Sequence, residues 1–289
     1  MKKKNISNNN LSLPWFETEI AKKILEKKYE LSKHDKRNAE NFINNGYVIL
    51  KNVVSEKFCN LLVDDFFRII NSNNFKKNPK YFHYNQSPRI IEGWKKSNYI
   101  KKLCFEKKII SFLRFMYEKE PIPVSTINFL KGTEQPLHSD YVHFGSLPEL
   151  YLAGVWFALE KVDLTNGPLT ICPKSHKLEI IDFTDLKLKI PKTTNELKSN
   201  YTKYEKYLIK TINKKKLKTK KIKLDKGDAL IWAANLLHGG SKIKNEKKTR
   251  LSQVIHYHFK GLKKIYNPCF SSRFNGIYAT RDINSIKVK

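Results

Sequence analysis

The segment Pro136-Leu137-His138-Ser139-Asp140 puts an imidazole and a carboxylate two residues apart. On an extended strand, side chains two apart project from one face, so His138 and Asp140 can reach a single cation together. A neutral imidazole and a carboxylate are two of the three protein ligands of the facial triad that holds iron(II) and leaves positions open. With eight histidines in the chain, an isolated His-x-Asp carries little weight, and the third ligand has to come from a distant strand. His238 stands 98 residues beyond Asp140, shortly after Gly227-Asp228-Ala229-Leu230-Ile231-Trp232, which reads as a turn and then a buried strand. Gly239 and Gly240 follow it directly, so backbone or ligand can approach closely there. Arg250 comes 12 residues after His238. If His238 ends one strand and Arg250 begins its antiparallel neighbour, both line one pocket. A guanidinium there matches a carboxylate through two parallel hydrogen bonds.

The other histidines have plainer readings. His143 is expected to be a solvated loop residue, and His176 a structural one held by hydrogen bonds. His256 and His258 alternate on one strand face, but no further carboxylate or Cys stands at metal-binding spacing, so packing or hydrogen bonding is expected of them. Two histidines and a carboxylate also hold zinc. No acidic base adjoins either His in an HExxH arrangement, which ranks a zinc hydrolase low. Cys59, Cys104, Cys172 and Cys269 are far apart and form no CxxC pair, as reduced, buried thiols would.

The elements that must position these residues divide the chain in two. Helical character covers 17–31 and about 34–45, the second ending at Gly46. Tyr47–Leu50 reads as a strand. Ser55 can cap a helix in which Phe58, Leu61, Leu62, Phe66, Ile69 and Ile70 recur at helical spacing, and 108–118 reads as another amphipathic helix. From residue 122, short β-rich runs take over: Val124–Leu130, Leu152–Leu159, Leu169–Ile171, Ala229–Trp232 and Leu251–Phe259. Helices followed by many short strands imply an α+β fold with a β-sandwich or barrel core. Residues 1–14 are polar and expected to be a disordered tail, with 15–289 forming one domain. Within it, 178–223 reads as a polar, Lys-rich insertion without clean periodicity.

The formal net charge of +29 raises the question of an anionic partner. The excess is nearly all Lys, spread along the chain with many Asn and Ile, as an AT-rich coding sequence produces. The one dense block, 214–223, lacks the interleaved aromatic residues that stack on bases, so nucleic acid is not expected as a partner. No apolar run reaches the roughly 18–20 residues of a membrane span. The basic first residues lead into no apolar segment, so a cytoplasmic protein is expected.

Over roughly residues 44 to 260 the chain resembles the phytanoyl-CoA dioxygenase family of iron(II)- and 2-oxoglutarate-dependent oxygenases. The resemblance rests on Asn45-Gly46-Tyr47-Val48-Ile49-Leu50-Lys51, on Leu137-His138-Ser139-Asp140, and on Trp156 eighteen residues beyond His138. It continues through Asn166-Gly167-Pro168-Leu169, Pro173-Lys174-Ser175-His176-Lys177, and then Asp228, His238 and Arg250. Lys174 departs from the Gly usual in the second turn, and Ser241 stands three residues after the ligand His where the family often has Ser at two. The resemblance implies a double-stranded β-helix, or jelly roll, with an N-terminal helical part. It implies iron(II) on His138, Asp140 and His238, 2-oxoglutarate against Arg250, Trp156 and Ser241, and O2 as the oxidant. The implied activity is hydroxylation of a C–H bond in a small-molecule substrate, and the retained carboxylate of Asp140 favours it over halogenation. The alternative is a jelly roll that binds a ligand or partner without turnover. Substrate-facing parts are expected in the 178–223 insertion.

Overall fold

The computed structural model describes residues 13–28, 31–76, 87–280 and 286. The N-terminal part is helical: α1 (Ala21–Lys28), α2 (Lys33–Asn45), α3 (Glu56–Ile70), α4 (Asn73–Lys76), α5 (Asn98–Leu103) and α6 (Lys107–Tyr117), with strands β1 (Tyr47–Leu50) and β2 (Arg89–Ile91) among them. Ser55 caps α3 as its sequence suggests, its hydroxyl accepting from Phe58 N at 3.2 Å. Gly46, at φ +79°, ends α2. The expected helix over 17–31 is shorter. A 3-10 turn, Trp15–Glu17, precedes it, and Phe16 is buried edge-on against Phe42 and Tyr117 at 5.0 and 4.9 Å. Of the expected tail, residues 1–12 lie outside the described residues, and Pro14 is buried.

The remaining strands are β3 (Pro121–Phe129), β4 (Gly145–Leu147), β5 (Ala153–Ala158), β6 (Leu169–Ile171), β7 (Lys220–Lys221), β8 (Ala229–Ala233), β9 (His238–Gly240), β10 (Ser252–Phe259) and β11 (Lys264–Tyr266). Six form an antiparallel sheet in the order β1-β8-β5-β10-β3-β2. A second sheet runs β7-β6-β9, and β11 pairs with β4. The large sheet is apolar on both faces, because strand side chains alternate. Val155, Phe157, Ile231, Ile255 and Tyr257 join one core with the helices. Trp156, Leu230 and Trp232 point the other way and share a core with Leu169 and Ile171 of the small sheet. The site is built between the two sheets. No helix among the described residues is long and apolar enough to cross a membrane.

The reading of 178–223 as aperiodic is overturned. It contains α7 (Thr194–Lys214), 21 residues long. Thr193 caps it, accepting from Glu196 N at 3.2 Å, while Glu196 accepts from Lys192 N at 2.6 Å. Asn200, Tyr204, Leu208 and Ile212 form its buried stripe at intervals of four, with Lys on the solvent face. The turn in which Lys174 replaces Gly keeps a left-handed conformation, φ +70°. A side chain costs about 1–2 kcal/mol there, against about 0.5–1 kcal/mol of extra backbone entropy for Gly. Lys174→Gly is therefore expected to stabilise the fold by about 0.5 kcal/mol, read as a higher midpoint in chemical denaturation. The four cysteines are free and buried, as expected.

Candidate metal centre

The two histidines meet because the backbone pairs them. His138 N donates to His238 O at 2.9 Å and His238 N to His138 O at 3.0 Å, which adds the 138 segment to the edge of β9. Directly opposed residues of an antiparallel pair project on the same side, and the two imidazole rings lie 4.6 Å apart. The residues around Gly239 and Gly240 approach closely, as their small size suggested. A Cβ on Gly239 would stand 2.5 Å from Gln135 O, and one on Gly240 2.5 Å from Glu134 N. The strand expected to carry both His138 and Asp140 is shorter than the sequence suggested. The chain is extended through Ser139 only, and Asp140 begins a 3-10 turn, Asp140–Val142. That single extended residue still puts Asp140 on the side of His138. Ser139 fixes the bend, its hydroxyl donating to Ala234 O at 3.1 Å and accepting from Tyr141 N at 3.2 Å.

Ligand atoms of His138, Asp140 and His238 all lie within 4.8 Å of one another. Each imidazole has its Nδ1 at a carbonyl two residues upstream: His138 on Pro136 O at 2.9 Å, His238 on Leu236 O at 3.0 Å. Nδ1 therefore carries the proton, and Nε2 presents its lone pair to the centre, the tautomer a metal ligand needs. Burial pushes the His138 pKa down to about 3, with His238 adding to the effect, so its ring is neutral. Burial alone would raise Asp140, but His238 and then His256 outweigh it and hold the carboxyl well below the usual carboxylate range. The three residues are only 5–6% exposed. Two imidazole Nε2 atoms and one carboxylate oxygen, buried and free to converge, fit a divalent transition metal with part of its coordination sphere open.

Arg250 does not stand where its spacing suggested. β9 pairs with β6 in the small sheet, while Arg250 precedes β10 in the large one, so His238 and Arg250 are not on neighbouring strands. Arg250 is nonetheless buried, 2% exposed, with its guanidinium 5.0 Å from the Trp156 ring. Among the described residues the guanidinium's one hydrogen bond runs from Nη2 to Lys131 O at 3.3 Å, and Nε has no partner. The acidic side chain acting on it is Glu160, whose carboxylate accepts from Thr249 Oγ1 at 2.8 Å and from Leu251 N, so it brackets Arg250 without pairing with it. Burial lowers the Arg250 pKa to about 10. Asn166 adds a brace, its amide donating to Thr249 O at 3.0 Å. Trp156 Nε1 is buried without a partner among the described residues. Ser241 lies just beyond β9, its hydroxyl 2.6 Å from Thr170 Oγ1.

The other residues singled out divide as follows. His176 is structural, with Nε2 3.1 Å from Ile43 O. Asp228 is also structural, holding the turn at 225–228 through Asn52 N and Asp225 N. His143 is not a solvated loop histidine. Its ring stacks on Tyr201 of α7 at 5.4 Å, with Nε2 3.2 Å from the Tyr201 hydroxyl. His256 takes a hydrogen-bonding role, and its partner is Asp140, with Nε2 3.3 Å from Oδ2. Sequence reasoning missed Trp232, which donates from Nε1 to the same oxygen at 2.7 Å. A Trp in an apolar strand carries no mark of such a bond.

Residues 42–252 match the family described as phytanoyl-CoA dioxygenase (PhyH). The peroxisomal phytanoyl-CoA dioxygenases of Mus musculus and Rattus norvegicus are 29% and 28% identical over 104 residues, which is 36% of this chain and 27% of each relative. The matched stretch thus spans about a quarter of those relatives' length. Among solved structures, the non-heme, alpha-ketoglutarate-dependent epimerase SnoN of nogalamycin biosynthesis superposes with a TM-score of 0.63 at 14% identity, covering 88% of this chain and 99% of that one. The carbocyclase SnoK of nogalamycin biosynthesis gives 0.60 at 16%, covering 88% and 94%. EctD from S. alaskensis, solved with 2-oxoglutarate and 5-hydroxyectoine, gives 0.61 at 17%, covering 81% and 78%. At such identities these structures show a shared fold, whereas the family match runs through most of the sequence and spans both candidate ligand segments. The chain belongs to the phytanoyl-CoA dioxygenase family.

Proposed function

We propose that the protein is an iron(II)- and 2-oxoglutarate-dependent dioxygenase that hydroxylates a C–H bond of a small-molecule substrate. The observation that carries this reading is the pairing of two features between the same two sheets. One is a buried His-Asp-His cluster with both Nε2 atoms turned inward. The other is a buried guanidinium that pairs with no carboxylate among the described residues. We read the two sheets as the halves of a jelly roll and residues 15–289 as one such domain.

Iron(II) held by His138, Asp140 and His238 would supply, with 2-oxoglutarate and O2, the oxidising power for attack on a C–H bond. The protein's part is placement. His138 and His238 offer their Nε2 lone pairs, and Asp140 offers a carboxylate. Arg250 holds the far carboxylate of 2-oxoglutarate, because an unpaired buried guanidinium gains most from an anion that arrives with the ligand. Trp156 carries the guanidinium on its ring face and keeps water from that end. Ser241, bonded to Thr170, presents a hydroxyl from the small sheet to the co-substrate.

The test is succinate formation from 2-oxoglutarate in air with added iron(II), followed by a metabolite screen for compounds that accelerate it. The reading requires succinate above an iron-only control, and a product one oxygen atom heavier than the stimulating compound. A rearranged or epimerised product without added oxygen would keep the co-substrate assignment and remove hydroxylation. No succinate from metal-loaded protein would leave a binding protein without turnover.

A further inference from the structure

Asp140 has two carboxylate oxygens, and the structure treats them differently. Each oxygen faces one ligand imidazole, Oδ1 3.8 Å from His138 Nε2 and Oδ2 3.7 Å from His238 Nε2, and what separates them is their other partners. Oδ2 accepts from Trp232 Nε1 at 2.7 Å and lies 3.3 Å from His256 Nε2. The Nδ1 of His256 has no partner among the described residues, so the proton belongs on Nε2, where an acceptor waits. The two donors come from strands that are not adjacent. Trp232 is on β8 and His256 on β10, and the residue opposite both, on β5 between them, is Gly154. A Cβ there would stand 2.1 Å from Trp232 Cε2 and 2.5 Å from its Nε1. The missing side chain lets the indole lie across the sheet toward His256, the two rings meeting edge to face at 6.4 Å. Phe144 stacks on the imidazole at 4.7 Å and fixes its plane.

We infer that Trp232 and His256, converging across the gap left by Gly154, hold Oδ2 of Asp140 and leave Oδ1 as the single oxygen offered to the metal. The inference rests on the proposed function. Its consequence is a count of positions. A six-coordinate cation with three protein atoms keeps three positions, enough for a bidentate co-substrate and O2; a carboxylate that swung to bind through both oxygens would close one of them. Trp232 and His256 are positioning residues, acting through Asp140, and hydrogen-bonded partners of this kind typically change metal affinity by about 10–100-fold.

The experiment is an anaerobic titration with cobalt(II) as the probe, following its visible absorption, on wild type, Trp232→Phe, His256→Phe and the double variant. Trp232→Phe keeps a ring and removes the donor, and His256→Gln restores an N–H at a similar reach. The expected result is about tenfold weaker binding in each single variant. The double variant should show a weaker absorption band, the sign of a higher coordination number, and His256→Gln should recover most of the affinity. Gly154→Ala keeps both donors but displaces the indole, and is expected to behave like Trp232→Phe. Should a Trp232 variant fail to fold, the His256→Phe and His256→Gln pair makes the same comparison. Folded variants with lowered melting points but wild-type affinity and band intensity would show a purely structural role and overturn the inference. A wild-type chain that takes up no cobalt(II) would overturn the proposed function and this inference with it. Wild-type binding matched by both single variants would overturn this inference alone.

Discussion

Asp140→Ala is expected to abolish succinate formation, with turnover falling by well over the roughly hundredfold that loss of an outer hydrogen-bonded partner causes. The carboxylate is the only acidic group of the His-Asp-His cluster, and the rings of His138 and His238 do not replace it. The change also strands Trp232 Nε1, a buried donor whose loss of a partner costs about 1–3 kcal/mol. Asp140→Asn separates the two effects. The amide oxygen can still accept from Trp232, so the fold should melt near the wild-type temperature while metal affinity and succinate are lost. Wild-type turnover in either folded variant would remove Asp140 from the metal. Circular dichroism melting run beside the succinate assay makes the distinction.

Arg250→Met is expected to raise the 2-oxoglutarate concentration for half-maximal turnover by at least about tenfold, since charge-assisted hydrogen bonds to a ligand carboxylate are worth about 1.5–3 kcal/mol. Its effect on the free protein should have the opposite sign. The guanidinium is buried without an ion pair among the described residues, and burial lowers its pKa to about 10. A base whose folded pKa is depressed makes its charged form costly in the fold. That penalty is present at all pH below about 10, and it eases as pH rises through that value. Removing the charge should therefore leave the melting temperature of the free protein unchanged or higher at neutral pH, while the stabilisation that 2-oxoglutarate gives the wild type disappears. Thermal melting with and without 2-oxoglutarate reads both signs. A variant that still gains the wild-type shift would show that the co-substrate is held elsewhere.

How far the sequence disclosed this depends on whether a signal was local. Gly46 and Ser55 end and begin helices through bonds within four residues, and both were legible. Five of the six strands of the large sheet were visible because they are short apolar runs, β2 was not, and Leu169–Ile171 was placed to the residue. α7 was missed although Thr193 and Glu196 spell a capping box, because its buried stripe of Asn200, Tyr204, Leu208 and Ile212 is half polar and is diluted by Lys. The candidate ligands were picked out from type and order, yet the geometry assumed for them was only partly right. His138 and His238 converge as a cross-strand pair, and Asp140 joins them through one extended residue and a turn. The link between His238 and Arg250 was misjudged, because neighbours in sequence went to different sheets. Nothing local announced that Trp232, Gly154 and His256 line up across β8, β5 and β10, since that depends on register between strands far apart in the chain.

The central claim is that three side chains meet at one iron whose remaining positions accept 2-oxoglutarate. Anaerobic titration of the metal-free protein with iron(II), followed by addition of 2-oxoglutarate, tests it most directly. A single iron should bind per chain, and a weak visible charge-transfer band should appear only when metal and 2-oxoglutarate are both present, and not in His238→Ala. No iron uptake by the wild type, or an undiminished band in His238→Ala, would contradict the claim.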